Sequence, residues 1–221
     1  MDFRLSPIEA RILGCLIEKE ATTPDVYPLT LNSLLTACNQ KSNREPVMDL
    51  DTDDLVTALD SLIDRTLVST WKSGRNRSAK YQHKLRNRVL DEFNFSLPEL
   101  AVLGILFLRG PQTVGEIRSR CARIHEFENL EAVEGVLTAL EENPDGPYVT
   151  MLARQEGRKE HRYAHLFCGE PDDTAIPEAD NTQRSGSGNS RVEALEQEVS
   201  ELKAELHDLE QRFAEFVKQF E

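Results

Sequence analysis

Cysteine is scarce in this 221-residue chain. The four present, Cys15, Cys38, Cys121 and Cys168, form no C-x-x-C pair and lie mostly among apolar residues, as reduced core thiols do. That spacing gives no reason to expect a zinc site. Long apolar runs are also missing. The longest, "LAVLGILFL" from Leu100 to Leu108, is too short to cross a bilayer and suits a buried helix. The opening residues "MDFRLSP" lack the apolar stretch of a signal peptide, so the sequence predicts a soluble cytoplasmic protein with no membrane partner. Catalytic signatures are absent too: there is no phosphate-binding G-x-x-x-x-G-K, no G-x-S-x-G and no H-E-x-x-H. His161 and His165 stand four apart on a predicted strand without a cysteine or carboxylate cluster nearby, which suits surface or pairing roles better than metal ligation. The expectation is a protein that is not an enzyme and carries no cofactor or metal.

Basic residues are outnumbered, with a net charge of −13, which argues against a general affinity for nucleic acid. The imbalance is uneven. Residues 1 to 90 carry 13 basic and 12 acidic side chains, whereas residues 91 to 168 carry 8 and 13. The nearly neutral first half is hidden by the whole-chain average.

What the sequence does contain is an internal repeat. "SPIEARILGCL" (Ser6 to Leu16) overlays "SLPELAVLGIL" (Ser96 to Leu106) at an offset of 90, with Ser, Glu, Leu, Gly and Leu in common. Ser6 with Glu9, and Ser96 with Glu99, have the spacing of a capping box, and Pro7 sits where a first-turn proline is harmless. Ile8, Ile12, Cys15 and Leu16 recur at helical spacing, so one face is buried. Gly14 and Gly104 fall mid-helix, at a cost of about 1 kcal/mol each relative to alanine, and close approach of another helix is the expected reason. "TLNSLLTAC" (Thr30 to Cys38) then matches "TVGEIRSRC" (Thr113 to Cys121), "LVTAL" (Leu55 to Leu59) matches "VLTAL" (Val136 to Leu140), and "KYQH" (Lys80 to His83) matches "RYAH" (Arg162 to His165). The shrinking offset places seven extra residues in the first half around "TTPDVYPL".

Each unit reads as three helices and a two-stranded hairpin, with strands expected at Leu67 to Ser73, Ser78 to His83, Tyr148 to Arg154 and His161 to His165. That is the winged-helix plan, a relative of helix-turn-helix. The predicted fold class is mainly α with small β hairpins: winged-helix domains at 1–88 and 89–169, a linker at 170–190, and a C-terminal coiled-coil helix at 191–221.

"EARILGCLIEKEATTPDVYPLT" (Glu9 to Thr30), "TACNQKSNREPVM" (Thr36 to Met48), "LRGPQTVGEIRSR" (Leu108 to Arg120) and "HRYAHLFCG" (His161 to Gly169) together resemble the YceH family. Only the linker departs from the likeness. The resemblance implies a bacterial protein with two winged helices, and it implies no reaction.

In DNA-reading winged helices the third helix enters the major groove. Here it is "TDDLVTALDSLIDRT" (Thr52 to Thr66), with Leu55, Leu59, Leu62 and Ile63 inward and Asp53, Asp54, Asp60 and Asp64 outward. Six acids and no base between Asp49 and Asp64 repel phosphates. The second copy is acidic as well, at Glu131, Glu134, Glu141 and Glu142. The wings have the opposite character. Arg65 to Arg88 holds eight bases and no acid, with Trp71 and Tyr81 among them. Lys72, Arg75, Arg77 and Lys80 in the first wing, and Arg158 and Lys159 in the second, are the candidate contacts. Arg118, Arg120 and Arg123 would extend that surface. Two uses fit these residues: tracking a nucleic-acid backbone with an aromatic stacked on a base, or meeting an acidic protein surface. Trp71 on this reading is more often a cap on the core than a stacking platform.

"CNQKSNREPV" (Cys38 to Val47) joins the second and third helices. Asn39 is suited to closing a helix and Pro46 to stopping it. Lys41, Asn43 and Arg44 could present donors to a partner, although a structural role for the loop is favoured because asparagines often satisfy loop backbone groups.

Residues 170–190 are polar, acidic and rich in Gly, Pro and Ser, the composition of a flexible linker. Beyond them Val192, Leu195, Val199, Leu202, Leu206 and Leu209, followed by three phenylalanines, alternate by three and four in a heptad pattern. Valine at a and leucine at d favour two parallel strands. Arg191 with Glu196 and Glu198 with Lys203 attract across such a pair, while Glu205 with Glu210 repels. Self-association through this helix and docking of it onto the chain's own domains or another protein remain alternatives.

Overall fold

In the computed structural model the described residues are 4–71, 78–86, 93–154 and 160–171. They belong to one compact unit, Met1–Asp173. The expected linker, apart from residues 170 and 171, and the whole of the expected coiled-coil helix lie outside the described residues.

The chain runs twice through the same order of elements. The first pass has α1 (Pro7–Thr22), a 3-10 turn (Pro24–Val26), β1 (Leu29–Thr30), α2 (Leu31–Cys38), α3 (Thr52–Asp64), β2 (Val68–Trp71) and β3 (Lys80–His83). The second has α4 (Leu97–Arg109), β4 (Gln112–Thr113), α5 (Val114–Cys121), α6 (Leu130–Glu141), β5 (Val149–Met151) and β6 (Arg162–His165). Each pass ends in a three-stranded antiparallel sheet, ordered β1-β3-β2 and β4-β6-β5. The register is equivalent in the two, with Val68 opposite His83 and Val149 opposite His165. Sequence alignment of the halves found the hairpins. It missed β1 and β4, because a two-residue strand carries no alternation to detect.

Helix starts follow the side chains at their N-termini. The Ser6 hydroxyl accepts from the Glu9 N–H at 3.2 Å and the Glu9 carboxylate accepts from the Ser6 N–H at 2.6 Å. Ser96 and Glu99 close the same box on α4, and Thr113 with Glu116 does so on α5. The effect is to satisfy N–H groups that have no intrahelical acceptor.

The core is continuous across both passes, because α1 packs directly on α4. Gly14 and Gly104, equivalent in the repeat, lie in this single crossing. A Cβ on Gly14 would stand 2.9 Å from Leu108 Cγ and 3.0 Å from Phe107 Cβ, and one on Gly104 would stand 3.0 Å from Ile17 Cγ2. Ile17 and Phe107 are themselves equivalent, so the contact is near-symmetric. The absent side chains let the two backbones approach, which offsets the helix-propensity cost of glycine. Backbone bonds tie the passes together elsewhere: Leu5 N–H donates to Phe167 O at 2.6 Å and Glu45 N–H to Leu108 O at 2.8 Å. Phe93, Phe95, Tyr148 and Phe167 form an aromatic cluster beside Phe107, with Tyr148 and Phe167 stacked at 5.5 Å.

Candidate nucleic-acid or partner interface

The outward faces of α3 and α6 are acidic, as their spacing predicts. Leu55, Leu59 and Leu62 are buried, Ile63 is half-buried, and Asp53, Asp54, Asp60 and Asp64 are exposed. Glu131, Glu134, Glu141 and Glu142 are exposed on and just beyond α6. A phosphate approaching either helix in the manner of a recognition helix would meet carboxylates.

Of the candidate wing contacts, Lys80 is described. It opens β3, half-exposed, directly across from Trp71. Trp71 is 51% exposed, so it does not cap the core as the sequence suggested. The strand's pleat explains this: Val68 points inward, and the burial decreases along β2 toward its end. Tyr81, the next aromatic, is half-buried at the centre of its sheet, opposite Leu29 on one side and Thr70 on the other. Lys72, Arg75 and Arg77 follow Trp71 outside the described residues, and so do Arg158 and Lys159 in the second wing.

Several bases counted toward a binding surface serve the fold instead. Arg65, at the C-terminal end of α3, hydrogen-bonds both carboxylate oxygens of Glu9 at 3.1 and 3.2 Å and also donates to the Arg4 carbonyl. Arg118 donates to the carbonyls of Phe127 at 3.3 Å and Glu128 at 2.8 Å, holding the loop between α5 and α6. Arg120 pairs with Glu116 one turn earlier at 3.2 Å. Arg123 is exposed.

The loop from Cys38 to Val47 is pinned at both ends. Asn39 caps α2, and its side-chain amide donates to Leu50 O at 2.8 Å while its carbonyl oxygen accepts from Leu50 N–H at 2.9 Å. The Arg44 side chain is the reverse of a surface donor. The residue is 5% exposed, its Nε donates to Ala37 O at 3.0 Å, and its Nη2 meets Glu18 Oε2 at 2.6 Å. Burial raises the Glu18 carboxyl, but the hydrogen bond and charge of Arg44 more than reverse this and hold it below the usual carboxylate range. Asn43, in a left-handed conformation with φ of 60°, accepts from Arg109 at the end of α4 through its side-chain oxygen. Lys41 is exposed. Of the three proposed loop contacts, Arg44 is thus corrected to an internal strut.

Sequence reasoning missed Arg11. It is 1% exposed, donating from Nη1 to Cys38 O at 3.1 Å and from Nη2 to Pro46 O at 2.6 Å. The signal was available, since Arg11 stands three residues after Ile8 and four before Cys15, on the face whose apolar period marks it as buried. A second missed set is anchored at the end of β3. His83 Nε2 lies 3.0 Å from Glu20 Oε2, and the His83 N–H donates to the Tyr27 hydroxyl at 3.0 Å. Tyr27 comes from the segment that the second half lacks.

His161 lies with Nδ1 3.2 Å from Leu152 O, and His165 packs edge-on against Phe107 at 4.9 Å. They do not converge on one site. Among the described residues no group of three or more His, Cys, Asp or Glu is placed to hold a metal ion, and no helix is long and apolar enough to cross a membrane.

A family model described as "Protein of unknown function, DUF480" matches residues 5–158. The "UPF0502 protein YceH" of Escherichia fergusonii is 47% identical over 209 residues, covering 95% of this chain and 97% of the relative. The chain belongs to the YceH family. YceH proteins of Salmonella paratyphi B and Salmonella newport are each 46% identical over the same length. The region matched by the family model takes in all six helices, the buried Arg11 and Arg44, and the glycine crossing.

Proposed function

We propose that this YceH-family protein is a non-enzymatic regulatory protein built from two tandem winged helices, which contacts nucleic-acid backbone through its basic wings and dimerises through the C-terminal helix. The observation that carries the reading is Trp71. A large indole is exposed on a hairpin strand beside Lys80, within a segment of eight bases and no acid. Exposed aromatics among cations are what single strands and flipped bases stack on, at about 1–3 kcal/mol per base. The acidic faces of α3 and α6 favour wing contact over insertion of either helix into a groove.

The test is binding of full-length protein to random-sequence duplex and single-stranded DNA and RNA across a salt series, beside Trp71→Ala and a double variant of Arg75→Glu with Arg77→Glu. Wild-type binding that weakens steeply with salt and is lost in the double variant supports the reading. No binding by wild type at low salt overturns it and leaves the alternative, an adaptor whose wings meet acidic protein surfaces. The heptads supply the dimer: Val192, Leu195, Val199, Leu202, Leu206 and Leu209 would form the seam.

A further inference from the structure

Arg11, Cys15 and Glu18 recur at intervals of four and three on α1, so they share one face of that helix. The face looks onto the end of α2. Arg11 bonds the carbonyl of Cys38, and Arg44, bonded to the carbonyl of Ala37, pairs with Glu18. Cys15 and Cys38 are both fully buried, Cys15 one turn after Arg11 and Cys38 at the end of α2 where Arg11 bonds its carbonyl, so the two thiols are neighbours. The cluster therefore holds two guanidiniums, one carboxylate and two thiols.

Its charges do not balance. Arg44 has Glu18, but the hydrogen bonds of Arg11 all go to backbone carbonyls, and its buried Nε has no partner. A buried cation without an anion is costly, and the groups at hand that can become anionic are the thiols. Burial pushes the Cys15 thiol up, yet the hydrogen bond from Cys38 and the charge of Arg44 more than reverse this and draw it below the ordinary thiol value. Cys38 moves the other way, raised by sharing its proton with Cys15 and by burial. Of the two buried thiols, Cys15 is thus the one eased toward ionisation and Cys38 the one that keeps its proton.

The fold does not demand any of this. In the second pass the positions of Arg11, Cys15 and Glu18 are filled by Ala101, Ile105 and Leu108, all buried on an equivalent helix, while Cys121 takes the place of Cys38 without a thiol partner. An apolar version of the same site is fully packed in the second pass of the same molecule.

We propose that Cys15 and Cys38 are a reactive thiol pair, oxidised by hydroperoxides to a disulfide that joins α1 to the end of α2. The Cys15 sulfur attacks the O–O bond, forming a sulfenic acid and releasing hydroxide. The Cys38 sulfur then displaces that hydroxyl group and gives up its proton. Two thiols lose two electrons and two protons, and hydrogen peroxide becomes two waters. The reagent must be small, since both residues are fully buried.

Full-length wild-type protein is exposed to hydrogen peroxide at neutral pH, and its cysteines are mapped by alkylation after unfolding and peptide mass spectrometry. A linked Cys15–Cys38 peptide, lighter by two hydrogens and restored by dithiothreitol, is expected to form at least about tenfold faster than any oxidation of Cys121, whose thiol burial pushes up to about 12. Arg11→Ala, which installs the residue of the second pass, is expected to keep its far-ultraviolet circular dichroism and to form the link at least about tenfold more slowly. Recovery of both cysteines as free thiols under peroxide that oxidises the exposed Cys168 overturns the proposal. So does a link that forms equally fast in a folded Arg11→Ala protein.

Discussion

Two of the helical glycines, Gly14 and Gly135, carry opposite expectations. At Gly14 a methyl group would press on Leu108 and Phe107, so Gly14→Ala is expected to lower stability by about 1–3 kcal/mol despite alanine's better helix propensity. Gly135 in α6 has open space where a Cβ would go, and Gly135→Ala is expected to raise stability by about 1 kcal/mol. Paired urea unfolding curves check both, and stabilisation by both substitutions would contradict the packing argument. Titration offers a further residue-scale prediction. Packing of His165 against Phe107 lowers its pKa to about 4 by burial. A histidine depressed below its unfolded value of about 6.5 contributes stability that is complete above that pH and is lost as the pH falls toward 4. The urea midpoint is expected to drop between pH 7.5 and 5, by the equivalent of about 1–2 kcal/mol given the residue's partial exposure, and to drop less in His165→Gln. The lowered carboxyls of Glu9, Glu18 and Glu20 act in the same direction at more acidic pH, since their stabilisation is lost as they take up protons.

At the scale of elements, the loop between α2 and α3 depends on a charge pair that its own composition does not reveal. Replacing Glu18 by leucine, the residue at the equivalent place in α4, strands the Arg44 guanidinium and is expected to cost about 3–5 kcal/mol. Adding Arg44→Met should recover much of that loss, and thermal unfolding of the two proteins compares them directly. Helix existence, helix capping and the hairpins were legible in the sequence because each leaves a local pattern: a Ser to Glu interval, a 3.6-residue period, or a repeated Lys-Tyr-Gln-His against Arg-Tyr-Ala-His. The inward turn of Arg44 was not legible, since its partner lies 26 residues away and an arginine in a polar loop reads as surface. Trp71 failed for a related reason. Indole size suggests burial, but position on a short hairpin strand decided its exposure. Of the candidate interface, Lys80 and Trp71 rest on strand periodicity that the structure shares, whereas the basic tips rest on composition alone.

For the whole molecule, the shared core predicts that residues 4–171 unfold in a single transition, because separating the passes would expose the apolar faces of both α1 and α4. Coincident fluorescence and circular dichroism curves check this, and two resolved steps would contradict it. Removal of residues 191–221 is expected to convert a dimer into a monomer by light scattering, with the transition of the remaining chain retained. The crossing at Gly14 and Gly104 has a further meaning. It has the geometry of an isologous two-fold interface, in which patch meets identical patch. A true homodimer must write every substitution on both sides of such a seam at once. Here both sides belong to one polypeptide, so each half is free to change alone, and an ionised, thiol-bearing interior on one side can face a wholly hydrocarbon one on the other.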